Sequence, residues 1–313
     1  TVNSKSKNLD GIILTTNTVY EKIKIKLFEF FEYKFTKLIT RKINTLFSPN
    51  VLSGFSLKKN KYIKEADLIC LYWINGAFIK VDDLSYLKNK PIIWRLSDFW
   101  PFTGGCHYPS NCLNFISVCK NCPQLLMPSD NDLSFINWQK KFKTYKDLNI
   151  HVVAPSKWIK NEAVKSKLFH NFKTTVIHTG INLEKFKPIK KTVSRKTLNL
   201  PLDQKIVMSL SPNKDEKRKG FQFLSKALFE SKLKLIRTNI TLLLVGNESV
   251  EMLKNKFPKE MNIISLGKIN QDKMVHAYSA SDVVVLPSLE DNLPNFILES
   301  LACSTPVVAF KIG

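Results

Sequence analysis

DVVVLPSLEDNLPNFILESLACSTPVVAF, residues 282–310, runs from an apolar, β-branched strand through a polar loop into a helix. A small-residue turn then leads to a second apolar strand. Neither strand run alternates apolar with polar residues. Strands apolar at successive positions are buried on both faces, as in a parallel sheet. Proline is tolerated in a helix's first turn, where its missing N–H has no partner to lose. Pro294 therefore marks a helix start whose free amides and dipole face the loop and favour an anion. Of the three acids, Glu290 reads as turn polarity. Asp291 stands in the loop, and Glu299 lies on a helix pressed against the sheet, where a carboxylate is costly without a partner.

The same apolar runs recur outward from this stretch. ADLICLYWI (66–74), KPIIWRLSD (90–98), NIHVVAPS (149–156) and TTVIHTG (174–180) form a first series. KIVMSLS (205–211), ITLLLVG (240–246), NIISLG (262–267), DVVVLPS and PVVAF form a second. Helical patterns fall between many of them, one with Ser156 as N-cap. Strand–helix alternation in two series predicts two doubly wound α/β domains, at 1–186 and 187–313. Ligands of such sheets bind beyond the carboxyl ends of the strands.

The composition is that of a folded chain, with 44% hydrophobic and 24% charged residues. No apolar run approaches the ~18 residues of a membrane-crossing helix. The net charge of +22 points to an anionic partner, yet only five of the 48 basic residues are Arg. Nucleic-acid readers favour Arg forks, so scattered Lys argues against that class and for phosphates or anionic lipid. Residues 21–47 carry Phe28, Phe31, Phe35, Ile39 and Ile43 at helical spacing among many Lys. Either the stripe packs on a core or the helix docks on an anionic membrane surface.

Three loops carry further chemistry. WPFTGGCHY follows a strand, and Gly104–Gly105 permits close backbone approach to a ligand; His107 is a base, a ligand or a structural histidine. Cys106, Cys112, Cys119 and Cys122 fall within seventeen residues. With no secretion signal, four thiols with one CxxC arm suit a structural Zn²⁺, against free thiols or an oxidised pair. SPNKDEKRKGF (211–221) follows a strand and precedes a helix, a position that favours phosphate contact by its cations.

PSLEDNLPNFILESLACSTPVVAF resembles the donor-site signature of retaining glycosyltransferases of family 4, which have the two-domain GT-B fold facing a cleft. Asp291, seven residues and Glu299 match its paired acids, although the first is usually Glu. WRLSDFWPFTGGCHYPSNCLNFISVCKNCPQL (94–125), LYWINGAFI (71–79) and VVAPSKWI to HTGINLEKFKP (152–188) are similar to bacterial exopolysaccharide, O-antigen and colanic acid glycosyltransferases. Ser97 stands where a His is common. The resemblance implies transfer of a sugar, with retention and no catalytic metal, from a nucleotide-diphosphate sugar to a lipid-linked cell-surface glycan. Asp291 would meet the sugar, Glu299 the ribose, and Arg218, Lys219 and Lys214 the diphosphate, with Asn292, Leu293 and Asn295 lining the donor. Trp73, Asn75, Ser97, Asp98, Gly104 and Gly105 would face the acceptor. It further implies a protein at the cytoplasmic membrane face, and expects the chain to lack a first β–α unit and its closing helices. A non-catalytic lipid-surface or nucleic-acid binder, or an inactive fragment, are the competing readings.

Overall fold

The structure, a computed structural model, describes residues 19–41, 46–52, 55–58, 60–210, 217–230, 239–246 and 257–313. The chain divides into two compact units, residues 1–154 with 159–176, and 155–158 with 177–313. The division thus falls about ten residues before the expected 186/187, and the short segment 155–158 goes with the second unit.

The first unit holds four parallel strands in sequence order: β1 (Ile69–Leu71), β2 (Pro91–Arg95), β3 (Asn149–Ala154) and β4 (Thr174–Val176). Their buried positions include Ile92, Trp94 and Val152, and the Trp94 ring packs edge-on against Tyr145 and Phe169. Helix α1 (Val19–Ile39) is shorter than the expected 21–47. After Ile39 the backbone pairs sideways: Arg41 N–H donates to Gln124 O, and Leu126 N–H to Ile39 O. Residues 42–45 of that expectation lie outside the described residues. Phe31 and Phe35 of the expected core stripe are 53% and 38% exposed. Among the described residues the buried one of this helix is Glu32, whose carboxylate faces the backbone N–H groups of Ala77, Leu52 and Asn50 while its Oε2 has no hydrogen-bond partner. Burial raises its pKa, and those amides offset part of the rise.

The second unit is a five-stranded parallel sheet in the order β7-β6-β5-β8-β9. The strands are β5 (Lys205–Leu210), β6 (Ile240–Val245), β7 (Asn262–Ser265), β8 (Val283–Leu286) and β9 (Val307–Ala309). Both faces are covered, as the unbroken apolar runs predict. Leu243 and Val245 point into one core with Tyr278 and Phe296, while Leu242 and Leu244 point into another with Phe221 and Leu228. Helix α6 (Phe221–Phe229) supplies the second core, and α7 (Gln271–Ala280) and α8 (Asn295–Ala302) the first.

Asp282, one residue before β8, ties three elements of this unit together. It accepts from the Arg195 guanidinium (2.8 Å) and from Lys191 (2.8 Å), both on α5 (Lys191–Thr197), and from the Ile206 N–H of β5 (2.8 Å). Burial alone would raise its pKa. The Lys191 and Ile206 hydrogen bonds and the Lys191 and Arg195 charges outweigh that and hold it below the usual carboxylate range. A depressed carboxyl contributes stability above its unfolded pKa, about 4, that is lost as pH falls through the lower folded value. Asp282→Asn should lower unfolding stability by about 1.5–3 kcal/mol at neutral pH. It should also flatten the acid limb below about pH 4, as read by denaturant unfolding across pH.

Candidate functional site

The sheet of the second unit changes direction between β5 and β8, which lie side by side although β6 and β7 intervene in sequence. The loops leaving their carboxyl ends are therefore neighbours, the usual ligand position of an open parallel sheet. The loop after β5 enters α6 through Lys217–Lys219 and Gly220. Gly220 has φ +66°, and a β-carbon there would stand 1.6 Å from the Pro287 carbonyl oxygen. Only glycine fits, so the two loops close onto each other. The contact is fastened by Leu289 N–H donating to Arg218 O (2.7 Å) and Arg218 Nη1 donating to Glu290 O (2.6 Å).

This closure brings the predicted charges together. Lys219 Nζ donates to Asp291 Oδ2 at 2.7 Å, and Arg218 Nη1 lies 3.7 Å from the same oxygen. Asp291 is buried, and its Oδ1 also accepts from Asn292 N–H. Asn292 is held in turn by the Ser156 hydroxyl, which donates to its Oδ1 at 2.8 Å. Leu293 is half-buried and Asn295 exposed at the start of α8. Pro294 is the residue before the helix, with extended ψ (125°), rather than a member of its first turn; no side chain caps this end. Glu299 sits one turn into α8, where Oε2 accepts from the Tyr278 hydroxyl at 2.7 Å. The Tyr278 phenol is pushed well up, first by burial and then by the Glu299 hydrogen bond and charge. Lys214 lies outside the described residues.

The first-unit candidates separate. Trp73 and Ser97 are exposed near the ends of β1 and β2, and Asn75 is buried with an Oδ1 that has no hydrogen-bond partner among the described residues. Asp98 is already engaged: Oδ1 accepts from Trp100 N–H (2.8 Å), and Oδ2 pairs with His107 Nδ1 (2.7 Å). His107 is fully buried, with its other nitrogen 2.8 Å from Ser48 Oγ, so it is the structural histidine of the three readings. Gly104 and Gly105 are also interior. A β-carbon on Gly104 would meet Ser134 O at 2.3 Å, and one on Gly105 the Phe47 ring at 2.5 Å. The close approach they permit is to the protein itself. The four cysteines line one small cavity as free thiols. As they stand, no three His, Cys, Asp or Glu side chains among the described residues form a set able to hold a metal ion.

Sequence reasoning missed Tyr278, Gly220 and Glu32. Gly220 had a local signal, a lone glycine between a basic turn and an amphipathic helix. Tyr278 had none, because its partner is twenty-one residues away.

Residues 204–313 match the family model for glycosyl transferases group 1. A curated relative, D-inositol 3-phosphate glycosyltransferase of Thermobispora bispora, is 26% identical over 150 residues, 45% of this chain and 35% of that protein. The chain thus spans about a third of that relative's length. Among solved structures, sucrose-phosphate synthase from Thermosynechococcus elongatus is similar, with TM-score 0.57, 19% identity, and 79% of this chain and 57% of that one covered. Anabaena HepE, solved in complex with UDP, gives TM-score 0.52 and 17% identity over 80% and 61% of the two chains. The fold is the GT-B type, two α/β units each built on a parallel sheet.

The Gly220 contact gives a direct test of the loop closure. Gly220→Ala should lower stability by about 2 kcal/mol or more, because the new methyl displaces the Pro287 carbonyl. Thermal denaturation reads the loss, and an unchanged midpoint would contradict the closed loop.

Proposed function

We propose that this protein is a retaining glycosyltransferase that takes its sugar from a nucleotide-diphosphate donor held by the second unit. The observation that carries the reading is the convergence of Arg218 and Lys219 with Asp291, across the β5/β8 reversal and beside the uncapped start of α8. A nucleoside diphosphate leaving from a sugar gathers negative charge. Fixed cations and helix amides stabilise it without reorganising, and without a metal ion in the reaction. In this reading Arg218 and Lys219 take the diphosphate, together with Lys214 of the same loop. Lys219 exchanges its Asp291 partner for phosphate, and Asp291 is released to accept from the sugar hydroxyls. Backbone groups of Asn292, Leu293 and Asn295 line the donor. Glu299, oriented by Tyr278, accepts from the ribose hydroxyls.

Retention follows from attack on the face the diphosphate leaves, with a departing phosphate oxygen taking the acceptor's proton. No carboxylate nucleophile enters, unlike a retaining glycosidase with its two carboxyls about 5 Å apart. The acceptor in this reading is a lipid-linked glycan meeting Trp73 and Ser97 of the first unit. Exposed Phe30, Phe31 and Leu38 on the Lys-rich α1 support contact with an anionic membrane surface. The UDP bound by the Anabaena protein supports a uridine donor.

Calorimetry with UDP and UDP-glucose tests the donor assignment. Glu299→Gln and Arg218→Ala each remove a charge-assisted contact and should weaken binding by about 1.5–3 kcal/mol, roughly tenfold to a hundredfold. Affinity unchanged in both variants would overturn it.

A further inference from the structure

The segment 103–132 joins β2 to α3 (Leu133–Tyr145) and holds only one short helical turn, Asn114–Ile116. So long a connection with so little regular structure needs something else to fix it. Its apolar anchors are few: Phe115 against Phe99 and Phe102, and Cys106, Cys122 and Leu125 clustered with Phe47. Cys106, Cys112, Cys119 and Cys122 surround a cavity of about 20 Å³, room for one water or one ion. All four are free, and all but the half-buried Cys112 are buried.

Backbone amides reach two of these sulfurs, although burial raises the Cys106, Cys119 and Cys122 thiols. Gly104 N–H donates to Cys119 Sγ at 3.1 Å, and the Gln124 and Leu125 amides hydrogen-bond the Cys122 sulfur. A β-carbon on Gly104 would stand 2.8 Å from the Cys119 Cβ, so the glycine is what lets its amide reach the sulfur. Lys141 is buried beside them, 1% exposed, with Cys119 and Cys106 as its leading electrostatic neighbours. Its ammonium donates to the carbonyl oxygens of Trp100 and Thr103 and lies over the Trp100 ring. Burial lowers the Lys141 pKa to about 7, against the pull of Cys119, Cys106 and Asp98, so its charge does not place the ion; the four sulfurs around one cavity do.

We propose that Cys106, Cys112, Cys119 and Cys122 bind one zinc-class divalent ion that fixes the 103–132 segment. No three of these side chains stand in a coordinating set among the described residues, so binding requires the four sulfurs to move inward onto the cavity. Each S–H proton leaves to solvent as its metal–sulfur bond forms, up to four per ion, with no change of oxidation state. The ion would do no sugar chemistry. It would hold the loop that carries His107, and through His107 the Asp98 carboxylate at the end of β2.

Elemental analysis of the full chain, grown with zinc and purified without chelator, should find about one equivalent. Cys119→Ser and Cys122→Ser should each lose it, whereas Cys70→Ser, an exposed cysteine outside the cluster, should keep it. If the serine variants do not fold, cobalt(II) added to the stripped intact chain gives an independent readout. Thiolate-to-cobalt charge-transfer absorption with tetrahedral d–d bands, displaced by zinc, supports the site. Zinc below about a tenth of an equivalent together with no such bands overturns it, as does full zinc retention in both Cys119→Ser and Cys122→Ser.

Discussion

Strand β5 has β6 on one side and β8 on the other, and this reversal of strand order governs the second unit. It sets two loops, about seventy residues apart in sequence, beside each other at the carboxyl edge of the sheet. Everything chemical in the unit depends on that adjacency. Gly220 lets the loops touch because nothing larger fits against Pro287 O. Two hydrogen bonds at Arg218, one accepted by its carbonyl from Leu289 N–H and one donated by its side chain to Glu290 O, then lock them. Two cations and a carboxylate end up within a few ångströms of one another, close to the open end of α8.

An arrangement of this kind is self-satisfied without a ligand. Lys219 and Asp291 neutralise each other, and Glu299 is occupied by Tyr278. Neither acid is left as an unpaired charge at the edge of an apolar core. In the proposed function, an anionic ligand would compete for the Lys219 ammonium and free the carboxylate, so one exchange would couple diphosphate binding to sugar binding. The Tyr278–Glu299 bond orients an acceptor oxygen from a buried, aromatic-packed ring, a firmer support than a surface lysine would provide.

The parallel sheets were legible because doubly buried strands leave unbroken apolar runs, and each of the nine strands among the described residues lies inside a stretch read as such. Their limits were not legible. ADLICLYWI continues apolar through Tyr72 and Trp73, yet β1 ends at Leu71 and both aromatics are exposed. Apolar character marks burial or a binding surface alike. In the same way, Gly104–Gly105 announced a close approach without saying to what, and the structure answers with Ser134 and Phe47. Phe31 and Phe35 kept helical spacing but face outward, while the carboxylate of Glu32 turns inward to three amides. Paired acids at fixed spacing were visible in sequence; Tyr278 was not, and Ser156 was read as a helix N-cap rather than as the donor to Asn292.

The most direct measurement is a crystal structure of the protein with a bound UDP-sugar. The account predicts diphosphate oxygens on Arg218 and Lys219, Asp291 released from Lys219 onto a sugar hydroxyl, and the ribose on Glu299. A nucleotide bound elsewhere, with the Lys219–Asp291 pair intact, would contradict it.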